Sequence, residues 1–182
     1  SNLPLFLFFC TFQNNSNTMS LTSERLIYKK CDSSHLEDYL KFGMNEAVMR
    51  YVTYRLLTRD EAIERFGKAL VINIKNTDLG YWLAYNKADG SLVAYLKIVN
   101  IGNNQHEVGY LVLPEYWGQK YASELTAALV VHARKLESVV ELVGIVDVEN
   151  GASKGVLLKQ EFELYDTGML DGKPVEYFRM KI

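Results

Sequence analysis

The segment Glu107-Val-Gly-Tyr-Leu-Val-Leu-Pro-Glu-Tyr-Trp-Gly-Gln-Lys-Tyr-Ala-Ser-Glu124 changes period part-way along, which forces a strand to feed directly into a helix. Val108, Tyr110 and Val112 alternate with Glu107, Gly109, Leu111 and Leu113, the two-residue period of a strand. Pro114 cannot donate to a ladder and closes that strand. From Tyr121 onward Ala122, Leu125, Ala128, Leu129, His132 and Leu136 recur at helical spacing. A helix beginning just past such a turn presents unpaired N–H groups and the positive end of its dipole, a setting that suits phosphate. The same pattern also serves a junction that only packs.

What surrounds this junction reads as one folded unit. A chain of 182 residues, 48% of them hydrophobic, can bury a sizeable core within a single domain. The formal net charge of −2 argues against a dedicated nucleic-acid binder and leaves room for a cationic amine substrate. Cys10 and Cys31 form neither a disulfide framework nor a metal spacing, which fits a reducing cytoplasm. His35, His106 and His132 are scattered, so no metal site is expected.

Residues 1–18 stand apart from residues 19–182. Leu3-Pro-Leu-Phe-Leu-Phe-Phe-Cys10 is apolar but too short to span a bilayer, and no signal-peptide pattern surrounds it. No membrane association is expected. The segment reads as an extension produced by a start codon assigned too early. If ordered, it has to bury its Phe and Leu side chains on its own domain or on a neighbouring subunit.

Further along, strands are expected at Glu24–Lys30, Tyr81–Asn86, Leu92–Val99, Val140–Val146, Phe162–Leu170 and Glu176–Lys181. Asp89-Gly90 and Asp171-Gly172 mark hairpin turns. Helices are expected at His35–Phe42, from the capping box Thr58-Arg-Asp-Glu61 to about Ile74, and at Asn150–Gln160. The order is β-α-α-β-β-β-α-β-α-β-β.

Two segments carry a resemblance to a known family. Gly109-Tyr110, Pro114-Glu115 and Trp117-Gly-Gln-Lys-Tyr-Ala122 resemble motif A of the GNAT superfamily of N-acetyltransferases, in the branch of the ribosomal-protein alanine acetyltransferases. Asn150-Gly-Ala-Ser153 followed by Leu157-Leu-Lys-Gln-Glu-Phe162 resembles the second signature of that family. The likeness runs from about Leu21 to Ile182. It implies an α+β fold with a mixed, mostly antiparallel sheet of about seven strands flanked by helices. It also implies an acetyl-CoA-dependent enzyme that acetylates a primary amine, either a protein N-terminus or a small molecule, without a metal. A homodimer is left open.

The resemblance assigns roles residue by residue. Acetyl-CoA would be held by the amides of Gly118, Gln119, Lys120, Tyr121, Ala122 and Ser123, with Leu111 donating to the thioester oxygen, Leu113 pairing with pantetheine and Asn150 touching the pantetheine arm. Glu107 would act as general base, with His106 on the opposite strand face, and Ser153 as proton donor, because Leu157 stands where many members have a tyrosine. Lys120 stands where the family has its central glycine, and Glu161 replaces the glycine of the second signature. Arg50, Tyr51 and Tyr54 could line the amine site. The bland readings are an ion-paired Glu107, Asn150 as a helix cap with Ser153 on its first turn, and a non-catalytic acyl-CoA sensor with the same fold.

Overall fold

Alternating apolar runs bounded by Gly, Asn, Asp and Pro give strands that meet at tight turns, and amphipathic segments between them give helices that cover the sheet. The computed structural model describes residues 21–182, so the expectation for the apolar extension lies outside the described residues. The elements are β1 (Leu26–Lys30), α1 (Leu36–Gly43), α2 (Glu46–Met49), α3 (Arg59–Lys75), β2 (Gly80–Asn86), β3 (Leu92–Gly102), β4 (Gln105–Val112), α4 (Tyr121–Ala133), β5 (Glu141–Asp147), α5 (Gly151–Lys159), β6 (Glu163–Leu170) and β7 (Lys173–Lys181). The strands form one seven-stranded mixed sheet in the order β1-β2-β3-β4-β5-β7-β6. The β4–β5 pair is parallel and the other pairs are antiparallel. This is the expected mostly antiparallel sheet flanked by helices.

Three differences from the expected elements have local causes. The one-turn helix α2 sits inside the connection after α1, capped by the Asn45 side chain, which accepts from the Val48 N–H. Strand β3 continues past Val99 to Gly102, because Asn103 and Asn104 both take positive φ (52° and 61°) and turn the chain tightly into β4. Strand β7 starts at Lys173 although Pro174 lacks an N–H, a position tolerated at a strand start. The capping box at α3 is present as expected: Thr58 accepts from the Glu61 N–H, and the Glu61 carboxylate accepts from the Thr58 N–H.

Each face of the sheet carries its own core. On one face Leu125 and Leu129 of α4 pack over Leu96, Ile98, Leu142 and Phe178 of the sheet, all essentially buried. On the other face α1 and α3 pack Tyr39, Phe42 and Phe66 over Leu83 and Tyr95, and the Tyr39 ring lies 4.9 Å from both Phe66 and Tyr95. Each such large side chain contributes roughly 1.5–3 kcal/mol through burial, which makes the sheet a rigid platform. Among the described residues no helix is long and apolar enough to cross a membrane. No group of three or more His, Cys, Asp or Glu side chains that could hold a metal occurs among them either.

Candidate active site

The parallel pairing of β4 with β5 runs only from Gln105↔Glu141 to Val108↔Gly144. Beyond it, Gly109 to Val112 on β4 and Ile145 to Asp147 on β5 have no strand partner across the gap among the described residues, while each strand stays paired on its outer side. A close packing contact sits where the fork opens. An added Cβ on Gly144 would sit 2.5 Å from a Leu157 methyl, so α5 presses its buried Leu157 onto β5 at the last paired position. Leu157, which stands where the resemblance implies a tyrosine, is thus used here for packing.

Strand parity decides which amides face this gap. The Leu113 N–H donates to the Val93 carbonyl at 3.0 Å, toward β3. Two-residue alternation sends the Leu111 N–H the same way, and those of Tyr110 and Val112 toward the gap. The Leu111 N–H, expected to donate to the thioester oxygen, and that of Leu113, expected to pair with pantetheine, are therefore turned toward β3, and the amides that face the gap are those of Tyr110 and Val112. Carbonyls follow the same rule, and that of Val112 accepts from the Trp117 indole at 2.8 Å.

Below the fork the chain makes a tight loop into α4. Gly118 and Lys120 both adopt left-handed backbone, with φ of 75° and 64°. The first intrahelical bond of α4 runs from the Glu124 N–H to the Lys120 carbonyl. The N–H groups of Tyr121, Ala122 and Ser123 precede it and point out of the helix end. Lys120 is exposed and has no side-chain capping bond. The Gln119 amide group is spent on the Glu115 carbonyl at 2.8 Å, so that side chain braces the loop. Tyr121 is 5% exposed, packed edge-on to Tyr116, and accepts from Asn86 at 3.1 Å.

Arg25 on the β1 side locks this loop from outside. Its guanidinium lies 3.9 Å from the Tyr121 ring centre, donates to the Gln119 carbonyl at 3.1 Å and pairs with Glu124 at 2.7 Å. The Glu124 carboxylate also accepts from the Ser23 hydroxyl and the Arg25 N–H. Burial pushes its pKa up, yet these donors win and hold it below the usual carboxylate range. Sequence reasoning missed Arg25, because its partners lie almost a hundred residues away.

The expected catalytic residues fall on opposite faces of the fork. Glu107 shares its face with Tyr81 and Leu111 and forms an ion pair with Lys97 at 2.6 Å. Gly109 permits this pair, since a Cβ there would meet the Lys97 stem at 2.9 Å. His106 lies on the other face, 2% exposed, and burial lowers its pKa. Asn150 caps α5 by accepting from the Ser153 N–H at 3.1 Å, so it and Ser153 are tied together. The Ser153 hydroxyl meets the Tyr110 hydroxyl at 3.4 Å, at the outer limit of a hydrogen bond. Burial pushes the Tyr110 phenol above its usual range, against a smaller lowering effect of the Ser153 hydrogen bond. Tyr110 was placed on the right strand face by alternation, but nothing local linked it to α5.

The chain after α2 crosses to the far wall of the fork. Tyr54, with φ of 59°, donates its hydroxyl to Asp147 at the end of β5. Burial and the Asp147 charge push the Tyr54 phenol up to about 12. Arg50 and Tyr51 contact each other, the guanidinium 5.2 Å from the ring centre.

The site is thus a forked sheet with an amide-lined helix start beneath the fork. Residues 25–163 match the profile described as an acetyltransferase (GNAT) domain, and the chain belongs to that family. Over 165 residues it is 26% identical to the FsC-acetyl coenzyme A-N(2)-transacetylase of Aspergillus fumigatus, covering 81% of this chain and 69% of that protein. Among solved structures, RimL, the ribosomal L7/L12 alpha-N-protein acetyltransferase in complex with coenzyme A, superposes with a TM-score of 0.72 at 19% identity, over 88% of this chain and 96% of the other. The spermidine N-acetyltransferase of Vibrio cholerae, in complex with coenzyme A and spermine, gives 0.70 at 15% identity, over 86% and 95%. The chain is thus an N-acetyltransferase by family, with the fold of enzymes solved with coenzyme A.

Proposed function

We propose that this protein transfers the acetyl group of acetyl-CoA directly to a primary amine bound on the Glu107 face of the fork. The observation that carries this reading is the fork itself: two amides that lack a partner among the described residues, Tyr110 and Val112, stand above a helix start whose first N–H groups precede its first intrahelical bond. The amides of Gly118 to Ser123 would hold the pyrophosphate, with the helix dipole behind them. The Lys120 ammonium adds charge at a place where phosphate would lie. The fork amides would pair with pantetheine and with the thioester oxygen, where negative charge develops during attack.

The reaction balances without a further reactant. The neutral amine nitrogen attacks the thioester carbon, the carbon–sulfur bond breaks, and the amine proton leaves as the thiolate gains one. Glu107 takes the proton from the amine, directly or through water. Its Lys97 partner orients the carboxylate and leaves a second oxygen for that task. Ser153, backed by the Tyr110 hydroxyl, returns a proton to the thiolate. Asn150 serves as the cap that sets the height of Ser153.

Thiol release from acetyl-CoA over a panel of primary amines tests this. The expected result is saturable release that depends on the amine. Binding of acetyl-CoA without release by any amine would make the protein an acyl-CoA-binding module instead. Absence of binding at millimolar ligand would remove both readings. Glu107→Gln and Ser153→Ala should each lower kcat by about tenfold or more. If neither does, catalysis rests on positioning alone.

A further inference from the structure

Asp147 is the last residue of β5, three positions and so about 10 Å beyond the last β4–β5 pair. Register places its side chain on the sheet face of Val143 and Glu107, level with Leu111 across the gap. The residue is only 7% exposed. One carboxylate oxygen accepts from the Glu149 N–H at 2.8 Å and the other from the Tyr54 hydroxyl.

Neither donor carries a positive charge, and among the described residues no Lys, Arg or His nitrogen pairs with Asp147. The two nearby ammonium groups are placed elsewhere. Lys154 donates to the Val148 carbonyl at 2.8 Å and pairs with Glu176 at 3.2 Å. Lys173 lies over the Tyr54 ring, 4.4 Å from its centre. A carboxylate this buried is costly unless it meets an opposite charge. Among the described residues no such charge pairs with Asp147.

We infer that Asp147 anchors the non-reacting ammonium of an acceptor that carries two amino groups, with the Tyr54 hydroxyl holding the carboxylate until the ligand arrives. This rests on the acetyl-transfer reading for the identity of the acceptor. A buried carboxylate favours the protonated form of an amine beside it, and a protonated amine cannot attack the thioester. The group at Asp147 is therefore the anchor, and the amine that reacts lies elsewhere on the same face. Tyr54 comes from the connection between α2 and α3, so the residue that shields the anchor is carried by a loop.

The test compares binding of 1,4-diaminobutane and butylamine to the full chain saturated with coenzyme A, measured by titration calorimetry. In the native protein the diamine should bind about tenfold more tightly, the equivalent of one added charge-assisted contact. Asp147→Asn keeps an oxygen for Tyr54 and should bring the ratio close to one. Tyr54→Phe removes the competing donor and should raise the ratio by about threefold. Equal affinities in the native protein, or a shift of both variants in the same direction, would overturn the inference. Should Tyr54→Phe fail to fold, an unchanged ratio in Asp147→Asn overturns it alone. The readout is binding, so an absence of acetyl transfer sinks the transfer reading and leaves this ratio measurable.

Discussion

Replacing Lys120 by glycine and, separately, by alanine distinguishes what its backbone costs from what its charge contributes. The residue sits at φ 64°, ψ 13° immediately before α4, where a Cβ crowds the following carbonyl. That conformation costs a non-glycine residue about 1–2 kcal/mol. Lys120→Gly removes the clash but loosens the unfolded chain, which returns about 0.4–1 kcal/mol. The expected net gain is on the order of 1 kcal/mol. With a urea m-value of about 2 kcal/mol/M, the midpoint should rise by about 0.5 M. Lys120→Ala keeps the Cβ, so its midpoint should stay near that of the native protein. Acetyl-CoA affinity behaves differently, because both variants lose the same ammonium, and each should bind about threefold to tenfold more weakly at low salt. Urea unfolding and calorimetric titration read the two effects independently. A lower midpoint for Lys120→Gly would refute the strain argument. Native affinity in both variants would show that the ammonium plays no part in holding the donor.

Other perturbations test the supports of the site. Gly144→Ala drives a Cβ into the Leu157 methyl and should destabilise the protein by about 1–3 kcal/mol in thermal or urea unfolding, with a smaller penalty when Leu157 is also shortened. Arg25→Ala leaves the Glu124 carboxylate, only 14% exposed in its side chain, without its guanidinium; stability should fall by about 1–2 kcal/mol, and acetyl-CoA binding should weaken as the loop below the fork loosens. His106 has its folded-state pKa lowered by burial from 6.5, so the unfolded chain binds the proton more readily. Its neutral form contributes full stability above about pH 6.5, and stability is lost as pH falls below that value, with a limiting slope of about 1.4 kcal/mol per pH unit. His106→Leu should flatten this part of the stability–pH curve, measured by urea unfolding at several pH values.

Much of this protein was readable along the chain. Periodicity located the strand β4, the start of α4 and the capping box at Thr58, because each depends on residues within a turn or two of one another. The two family signatures then identified the fold and pointed to the loop that enters α4. The substituted glycine at Lys120 was visible as a departure, and its left-handed backbone is what the glycine pattern implies. Asn150 as a helix cap was one of two readings open from sequence, and the cap is present.

What the tertiary structure alone decided involves groups far apart in sequence. Alternation separates the two faces of a strand but does not say which neighbour its amides address. That direction follows from the bond between Leu113 and Val93, which turns the Leu111 and Leu113 amides toward β3 and those of Tyr110 and Val112 toward the gap. The contacts Tyr110–Ser153, Arg25–Glu124, Lys97–Glu107 and Tyr54–Asp147 join separate elements across the sheet, its fork and its helices. A local pattern can place each of these side chains on a face, because that depends on the period of its own element. Only packing determines which of them meet, since that depends on where the whole chain brings the elements together.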